Sequence, residues 1–440
     1  RGDRFRRLRF ENLGASLRAD GPLFALPAGE LKLAIGGEYR RDRVDFISII
    51  DRSRAEPLVT GFAGLPEGRN VGAVYGELVA PLFDADQQFP GALTFSVAVR
   101  YEDYSDVGTA FNPKFGLRWT PLVGVALRAS YGESFRAPYF DELVGDANVL
   151  YQTIALPDPQ SPTGSTVVLG LFGSRTDLGP ERAKSWTVGA DFEPAAVPGL
   201  RLSASWFDIR YSDRIASASF DLFNFLVRRD LYSGIIDENP DAATLAAFFA
   251  SPQFVNAAGV APSGIGAIVD GRTLNLSSSR VQGADFDFAY QRRMGAGALT
   301  LSLGGTRLFK IDSQVTAQAP PIPVLATLGN PVKWRLRGRA GLTLGAVDSS
   351  LGANYMSGYR NQTVAPAERV SSWTTFDFQL GVRVETANMR ALRLALSVNN
   401  LFDRDPPYVQ YRTPTSAFGY DPEQASAVGR SIALQAVIAW

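Results

Sequence analysis

VGRSIALQAVIAW, residues Val428 to Trp440, closes the sequence. Every second residue back from the end is apolar: Trp440, Ile438, Ala436, Leu434 and Ile432. The residues between them, Ala439, Val437, Gln435, Ala433 and Ser431, are small or polar apart from Val437. A period of two belongs to a pleated strand, whose successive side chains point to opposite faces. Trp440 ends the apolar face, where a strand crossing a membrane places an interfacial anchor. The alternative is the last strand of an ordinary sandwich, and the rest of the chain must decide.

Composition narrows the choice. The chain has 440 residues, 44 basic and 44 acidic, with no His and no Cys. A single all-β barrel can hold that length. Zero net charge lacks the basic excess of a nucleic-acid binder. Without Cys there is no disulfide and no thiolate metal site. Without His the commonest metal ligand and the commonest general base are gone, and a Ser–His–Asp set is impossible. No Gly-rich loop follows a strand and opens a helix to cradle a phosphate. The residues thus point to no enzyme, no cofactor and no metal. The longest apolar helical candidate, Ala242 to Ala250, falls far short of the roughly 18 residues of a transmembrane helix. Crossing a membrane therefore requires a barrel. An exported protein needs a signal, which is expected upstream of Arg1.

Alternation recurs along the chain. Strands are expected at Arg4–Ala19, Glu30–Phe46, Val71–Leu82, Leu93–Tyr104, Asn112–Thr120, Val125–Tyr131, Trp186–Phe192, Leu200–Ser212, Ala284–Gln291, Leu299–Leu303, Val332–Leu344, Leu351–Tyr355, Phe376–Glu385, Leu392–Val398 and Val428–Trp440, about fifteen in all. In one of the clearest, Phe376, Phe378, Leu380 and Val382 oppose Asp377, Gln379 and Arg383. The phase changes near Glu11, and a slip near Trp206 and Phe207 predicts a bulge. The segment 135–183 reads as irregular. Within 213–278, the largest insertion, Asn239 reads as an N-cap with Pro240 at the first helical position and a helix over the following apolar run.

The connections sort by length. One set is 47–70, 105–111, 135–183, 213–278, 312–331, 360–371 and 401–427. The other is 20–29, 83–92, 121–123, 194–199, 292–297, 345–347 and 386–391. Six of the seven in the first set are longer than any in the second. Long loops on one side and short turns on the other characterise an outer-membrane barrel, not a sandwich. Lys333, Arg335, Arg337, Arg339, Arg383 and Glu385 lie inside strands. A filled or watery lumen accommodates them, whereas a dry core would make them costly.

Three stretches carry a resemblance. SFRAPYFDEL (134–143) and NNLFDRDPP (399–407) each follow a strand, and LGPERAKSW (178–186) leads into one. With the terminal aromatic strand, they resemble the TonB-dependent outer-membrane receptors, in order and in loop position. The resemblance covers essentially the whole chain. Its motif residues are Ser134, Phe135, Arg136, Ala137, Pro138, Glu142, Leu143, Asn399, Asn400, Leu401, Phe402, Asp403 and Trp440. It implies a transmembrane antiparallel up-and-down barrel of roughly 22 strands with a plugged lumen. Residues 1–440 would be its barrel portion, from the eighth strand to the last. The plug domain and the TonB-contacting segment are expected to precede this portion.

The same resemblance implies a bacterial outer-membrane location and TonB-energised import of a scarce solute: a ferric siderophore, cobalamin, haem or a carbohydrate. Outer-membrane lipid, the receptor's own plug, the TonB complex, the outer-membrane assembly machinery acting on the C-terminal strand and a small-molecule substrate are the implied partners. A passive porin-like channel is the rival, and an outer-membrane enzyme a second one that the missing His disfavours.

Candidate substrate contacts are Arg136, Tyr139, Tyr151, Arg335, Arg337, Arg339 and Tyr411. Each has a structural alternative. Arg136 and Glu142 could form a loop ion pair, the arginine stripe a solvated lumen face, and NNLFD plain loop punctuation. Loop aromatics, including Phe172, Phe220 and Phe223, could grip a ligand or pack loop on loop. Asp421 and Glu423 could meet a cation, but their spacing fits no Ca²⁺ loop. The final expectation concerns closure. Strands whose registers are set by short turns should form an open, curved sheet, with Ile432, Leu434 and Ala436 laddered only on the Leu392–Val398 side.

Overall fold

The computed structural model describes residues 4–50, 58–61, 68–84, 90–143, 149–175, 177–217, 219–386, 389–412 and 417–439. Trp440 lies outside the described residues, as does the side chain of Leu8. Fifteen long strands form the wall: β1 (Arg4–Leu26), β2 (Gly29–Ile50), β3 (Arg69–Phe83), β4 (Ala92–Tyr104), β5 (Gly108–Leu122), β6 (Val125–Arg136), β7 (Glu181–Phe192), β8 (Leu200–Ser217), β9 (Thr273–Met294), β10 (Gly297–Gln314), β11 (Trp334–Leu344), β12 (Val347–Met356), β13 (Trp373–Thr386), β14 (Met389–Asn399) and β15 (Ser431–Ala439). Each pairs antiparallel with its sequence neighbours, so the sheet is a simple meander.

Among the described residues β1 pairs in the wall only with β2, and β15 only with β14, so the sheet is open. Ile432, Leu434 and Ala436 oppose Val398, Leu396 and Leu394.

Cross-strand register carries one face around the wall. Ile432 opposes Val398, which opposes Phe378, which opposes Leu351. Strand β7 shows the alternation in its exposure. From Glu181 to Val188, odd positions are half-buried and even positions exposed. The exposed residues of the outward face are large and apolar: Leu434 is 79% exposed and Leu17 82%. Lipid is their natural solvent. An aromatic belt bounds this face on the long-loop side, with Tyr131 directly opposite both Phe115 and Trp186. Short turns close the other side. Gly124 (φ 81°) and Gly345 (φ 55°) take left-handed conformations there that a side chain would strain.

The lumenal face is laced with ion pairs. Arg100 bridges Glu38 and Glu102, and Arg128 meets Asp191, Ser203 and Ser205. Gly189 leaves room for this, because a Cβ there would sit 2.7 Å from Arg128 Nε.

Four expectations are corrected. Trp206 and Phe207 stay in register; the irregularity lies between Tyr211 and Ile215, where Asp213 has a φ of 55°. Phe207 breaks the sequence alternation because it points inward, directly across from Gly283, where no side chain competes for the space. The phase change near Glu11 produces no slip, and β1 shifts register only between Pro22 and Phe24.

The third and fourth corrections concern the long loops, which hold the best-buried core. Segment 135–183 contains a hairpin, Leu150–Pro157 and Ser165–Phe172. Ala267–Asp270 and Phe254–Val255 from the next long loop add to it in parallel, and Ile236–Asp237 completes five strands. These pairings place 135–183 and 213–278 on one side. Leu156, Val168, Phe225, Leu226, Tyr232 and Val269 pack together there at 0–2% exposure. The helix is present at Ala242–Phe249, but its cap is Asp241, whose carboxylate accepts from Thr244 N. Asn239 instead caps nothing and donates its backbone N–H to Asp237.

Candidate substrate-binding face

The SFRAPYFDEL stretch is held by charge. Arg136 ends β6, donating from both terminal nitrogens to Glu142 at 2.8 and 3.0 Å and from Nε to Glu181 at 2.8 Å. Its guanidinium lies 4.4 Å from the centre of the Tyr139 ring, which is 61% exposed. Ser134 pairs with Ala183 across the β6–β7 ladder, Phe135 meets the Tyr104 ring edge-on, and Leu143 is buried. Half-buried Ala137 precedes Pro138, whose carbonyl accepts from Arg69 Nη2 at 2.9 Å. Arg69 also pairs with Asp106 and sits over the Phe140 ring. This buried arginine ties three loops together. Its sequence surroundings, a Gly-Arg-Asn opening a strand, carry no signal of that.

The loop aromatics divide. Tyr151 packs edge-on against Phe248 at 4.8 Å, within a core with Leu169, Leu245 and Ile268. Phe172 is half-buried over Gly271. Phe223 is exposed, and the side chain of Phe220 lies outside the described residues. Two buried polar ties join the loops. Arg229 holds Asp158 and keeps its carboxyl well below the usual range. Burial and the Asp221 carboxylate push the Tyr232 hydroxyl up.

NNLFD forms a sharp corner after β14. Asn400 (φ 50°) donates from Nδ2 to Arg404 O and accepts at Oδ1 from Arg404 N, while its own N–H goes to Asp377. Leu401 N donates to Phe376 O, and Phe402 meets the Phe376 ring edge-on. Asp403 (φ 52°) accepts from Arg430 N, and Asn399 donates to Ser431. Nearby, half-buried Tyr411 packs on the cluster of Leu328, Tyr359, Val370 and Val409. Asp421 is buried beside Tyr359, and Glu423 N donates to it. Among the described residues no group of three or more carboxylates could hold a metal ion.

The arginine stripe lies on the lumenal face of β11. Arg335, Arg337 and Arg339 oppose Thr306, Gly304 and Ser302 on one side, and Met356, Asn354 and Gly352 on the other. Arg335 donates to Gln424, reaching in from a loop, and Arg339 to Ser350 and Gln379. Among the described residues none of the three has a carboxylate partner, unlike Arg100, Arg128 and Arg136. Arg335 and Arg337 line a cleft of about 270 Å³ with Asn354, Met356, Trp373 and Gln424. Gln424 had no distinguishing sequence signal.

An open meander with a lipid-facing apolar side, a charged lumen and loops gathered at one end defines a bacterial outer-membrane barrel protein. Residues 1–401 match the family described as "TonB dependent receptor-like, beta-barrel", and the chain belongs to that family, which comprises receptors rather than enzymes. Solved structures agree in fold. A variant of the ferric enterobactin receptor PfeA from Pseudomonas aeruginosa is 13% identical with a TM-score of 0.62, covering 97% of this chain and 53% of that one. The siderophore receptor PirA from Acinetobacter baumannii is 14% identical with a TM-score of 0.61, covering 97% and 54%. The outer membrane transporter YddB from Escherichia coli is 12% identical with a TM-score of 0.60, covering 97% and 54%. The chain spans about half the length of these proteins.

Proposed function

We propose that this chain is the barrel wall of a receptor importing a scarce anionic solute of the ferric-siderophore class, energised through TonB. The supporting observation is the stripe Arg335–Arg337–Arg339, three lumenal cations without a carboxylate partner among the described residues. Guanidinium forks pair well with the oxygens of carboxylate-bearing or similarly anionic chelates, and each charge-assisted bond contributes about 1.5–3 kcal/mol. A neutral carbohydrate has no use for such a stripe. PfeA and PirA, a ferric enterobactin receptor and a siderophore receptor of similar fold, favour the same class. In this reading a plug domain fills the lumen and relays the contact with TonB, and the C-terminal strand is the part the assembly machinery reads. Arg136 and Tyr139 form the rim the solute meets, with Tyr151 and Tyr411 holding the loops behind it.

The test is uptake of radiolabelled ferric siderophore by cells carrying the complete receptor, with and without TonB. Uptake should saturate, vanish without TonB, and lose affinity about tenfold or more in the R335Q/R337Q/R339Q variant, as expected for losing one or more such bonds. Unsaturable, TonB-independent entry would instead favour the passive channel. Unchanged affinity in the variant would take the stripe out of the solute's path.

A further inference from the structure

The outward face of β7–β10 changes character abruptly at its long-loop end. On β7 it reads Phe192, Ala190, Val188, Trp186, then Lys184 and Arg182; on β8 it reads Leu202, Ala204, Trp206, then Asp208 and Arg210. The ladder sets Lys184 directly opposite Arg210, and Arg210 directly opposite Arg280. Three cations thus stand in one row across three adjacent strands. Like charges so placed repel and destabilise a sheet.

Protein carboxylates offset only part of this. Glu133 takes Lys184 at 3.2 Å. Asp208, buried beneath the row, takes Arg280 at 2.6 Å, Arg210 at 3.6 Å and a hydrogen bond from Gln282. Asp312, across from Arg280, is paired with Lys310. Exposed Arg182 feels Glu133 but forms no ion pair among the described residues, so Arg182, Lys184, Arg210 and Arg280 share Glu133 and Asp208 and meet Asp312 only at longer range. The side chains of Lys184 and Arg210 remain 61% and 63% exposed.

Height identifies the counter-charge. From Phe192 to Lys184, and equally from Leu202 to Arg210, the strand climbs eight residues, roughly 27 Å at about 3.4 Å each. At a tilt of about 40° that is roughly 21 Å along the membrane normal, close to the top of an apolar band about 25 Å tall. Trp186 and Trp206 sit just below, where interfacial aromatics belong. Long basic side chains at this level extend toward the headgroups.

We infer that Arg182, Lys184 and Arg210, with Arg280 behind them, form a surface site for the phosphate groups of a phosphorylated glycolipid in the outer leaflet. The site faces lipid and is separate from the lumenal stripe. Phosphate oxygens between the opposed cations supply the charge the protein omits, and they fix the barrel's height in the membrane.

The experiment uses the complete receptor in nanodiscs of neutral phospholipid doped with bisphosphorylated lipid A, reading lipid bound per protein by native mass spectrometry. Dephosphorylated lipid A with the unaltered protein should bind at least tenfold more weakly, an arm that needs no variant. R182Q/K184Q/R210Q should lose binding of the phosphorylated lipid to the same degree, while R201Q, at the short-turn end of β8, should not. Arg280 is left intact because its loss would strand buried Asp208. Equal binding of the two lipids, equal losses in both variants, or no loss in the triple variant would each overturn the site. Heat-modified gel mobility checks that every variant has folded.

Discussion

Arg229 grips both carboxylate oxygens of Asp158, Nη1 to Oδ1 at 2.9 Å and Nη2 to Oδ2 at 3.1 Å. The two residues come from different long loops, and Arg229 also donates to Leu226 O and Glu238. This pair joins the hairpin 150–172 to the segment that supplies Phe225 and Tyr232 to the loop core. An isolated hairpin is marginal in water, so such ties hold the loops in one arrangement above the lumen.

The pair should govern how the loops respond to acid. Arg229 lowers the Asp158 carboxyl below its unfolded value of about 3.9. Its stabilisation is therefore complete above about pH 4 and is lost only as pH falls through the depressed value. Asp158→Asn should remove it at every pH, costing about 1.5–3 kcal/mol because half-buried Arg229 loses one of its two carboxylate partners and keeps Glu238. Hydrogen exchange at the amides of 150–157 and 165–172 reads this out. Exchange unaffected by the substitution at neutral pH would show that the tie is dispensable.

Facing along β13 can be tested with one charge placed at two neighbouring positions. Phe378 opposes Leu351 and Val398 on the lipid face, whereas Gln379 opposes Ser350 and Ser397. Phe378→Arg should cost about 2–4 kcal/mol near the bilayer midplane. Gln379→Arg loses the bond from Arg339 and sets two cations together in the lumen, yet it should still cost less, about 1 kcal/mol, because both stay solvated. Reversible unfolding in lipid measures both, and equal costs would contradict the one-sided strand.

The helix Ala242–Phe249 should depend on Asp241, which accepts from both Thr244 N and Thr244 Oγ1. Asp241→Ala should destabilise the helix locally by about 1 kcal/mol. Asn239→Ala, outside the helix, should leave the exchange rates of Leu245 and Ala246 unchanged. A larger effect from Asn239 would return the cap to the position expected from the sequence.

At Asn400 the order of two substitutions is diagnostic. Ala loses the side-chain bonds to Arg404 and also meets the left-handed backbone penalty of roughly 1–2 kcal/mol. Gly loses the same bonds without that penalty. Asn400→Gly should therefore be the milder change by about 1 kcal/mol, measured by refolding of the complete barrel. The reverse order would mean that the corner is set elsewhere.

Much of the wall was legible from one-dimensional pattern. Alternation at residues such as Phe376–Val382 and Ile432–Ile438 located the strands and assigned their faces, because each side chain's direction follows from its own backbone and the next residue's. Sorting of connection lengths assigned the two ends, because a meander of antiparallel strands leaves no other arrangement. The motif stretches showed where the chain turns sharply, and Asn400 and Asp403 take left-handed φ values there.

Tertiary structure alone decided the rest. The hairpin 150–172 gains parallel partners about a hundred residues later, Phe254 beside Tyr151 and Ala267 beside Val168. Arg69 reaches Pro138, Asp158 reaches Arg229, and Gln424 reaches Arg335. Whether an arginine meets a carboxylate depends on which strand or loop the register sets beside it: Arg128 meets Asp191, whereas Arg337 has no carboxylate partner among the described residues. Period two is a local property that repeats at every residue, so a single sequence displays it. A contact between loops is a single event between distant residues, chosen by the packing of cores such as Leu156, Val168 and Tyr232, and it leaves no periodic trace in the chain.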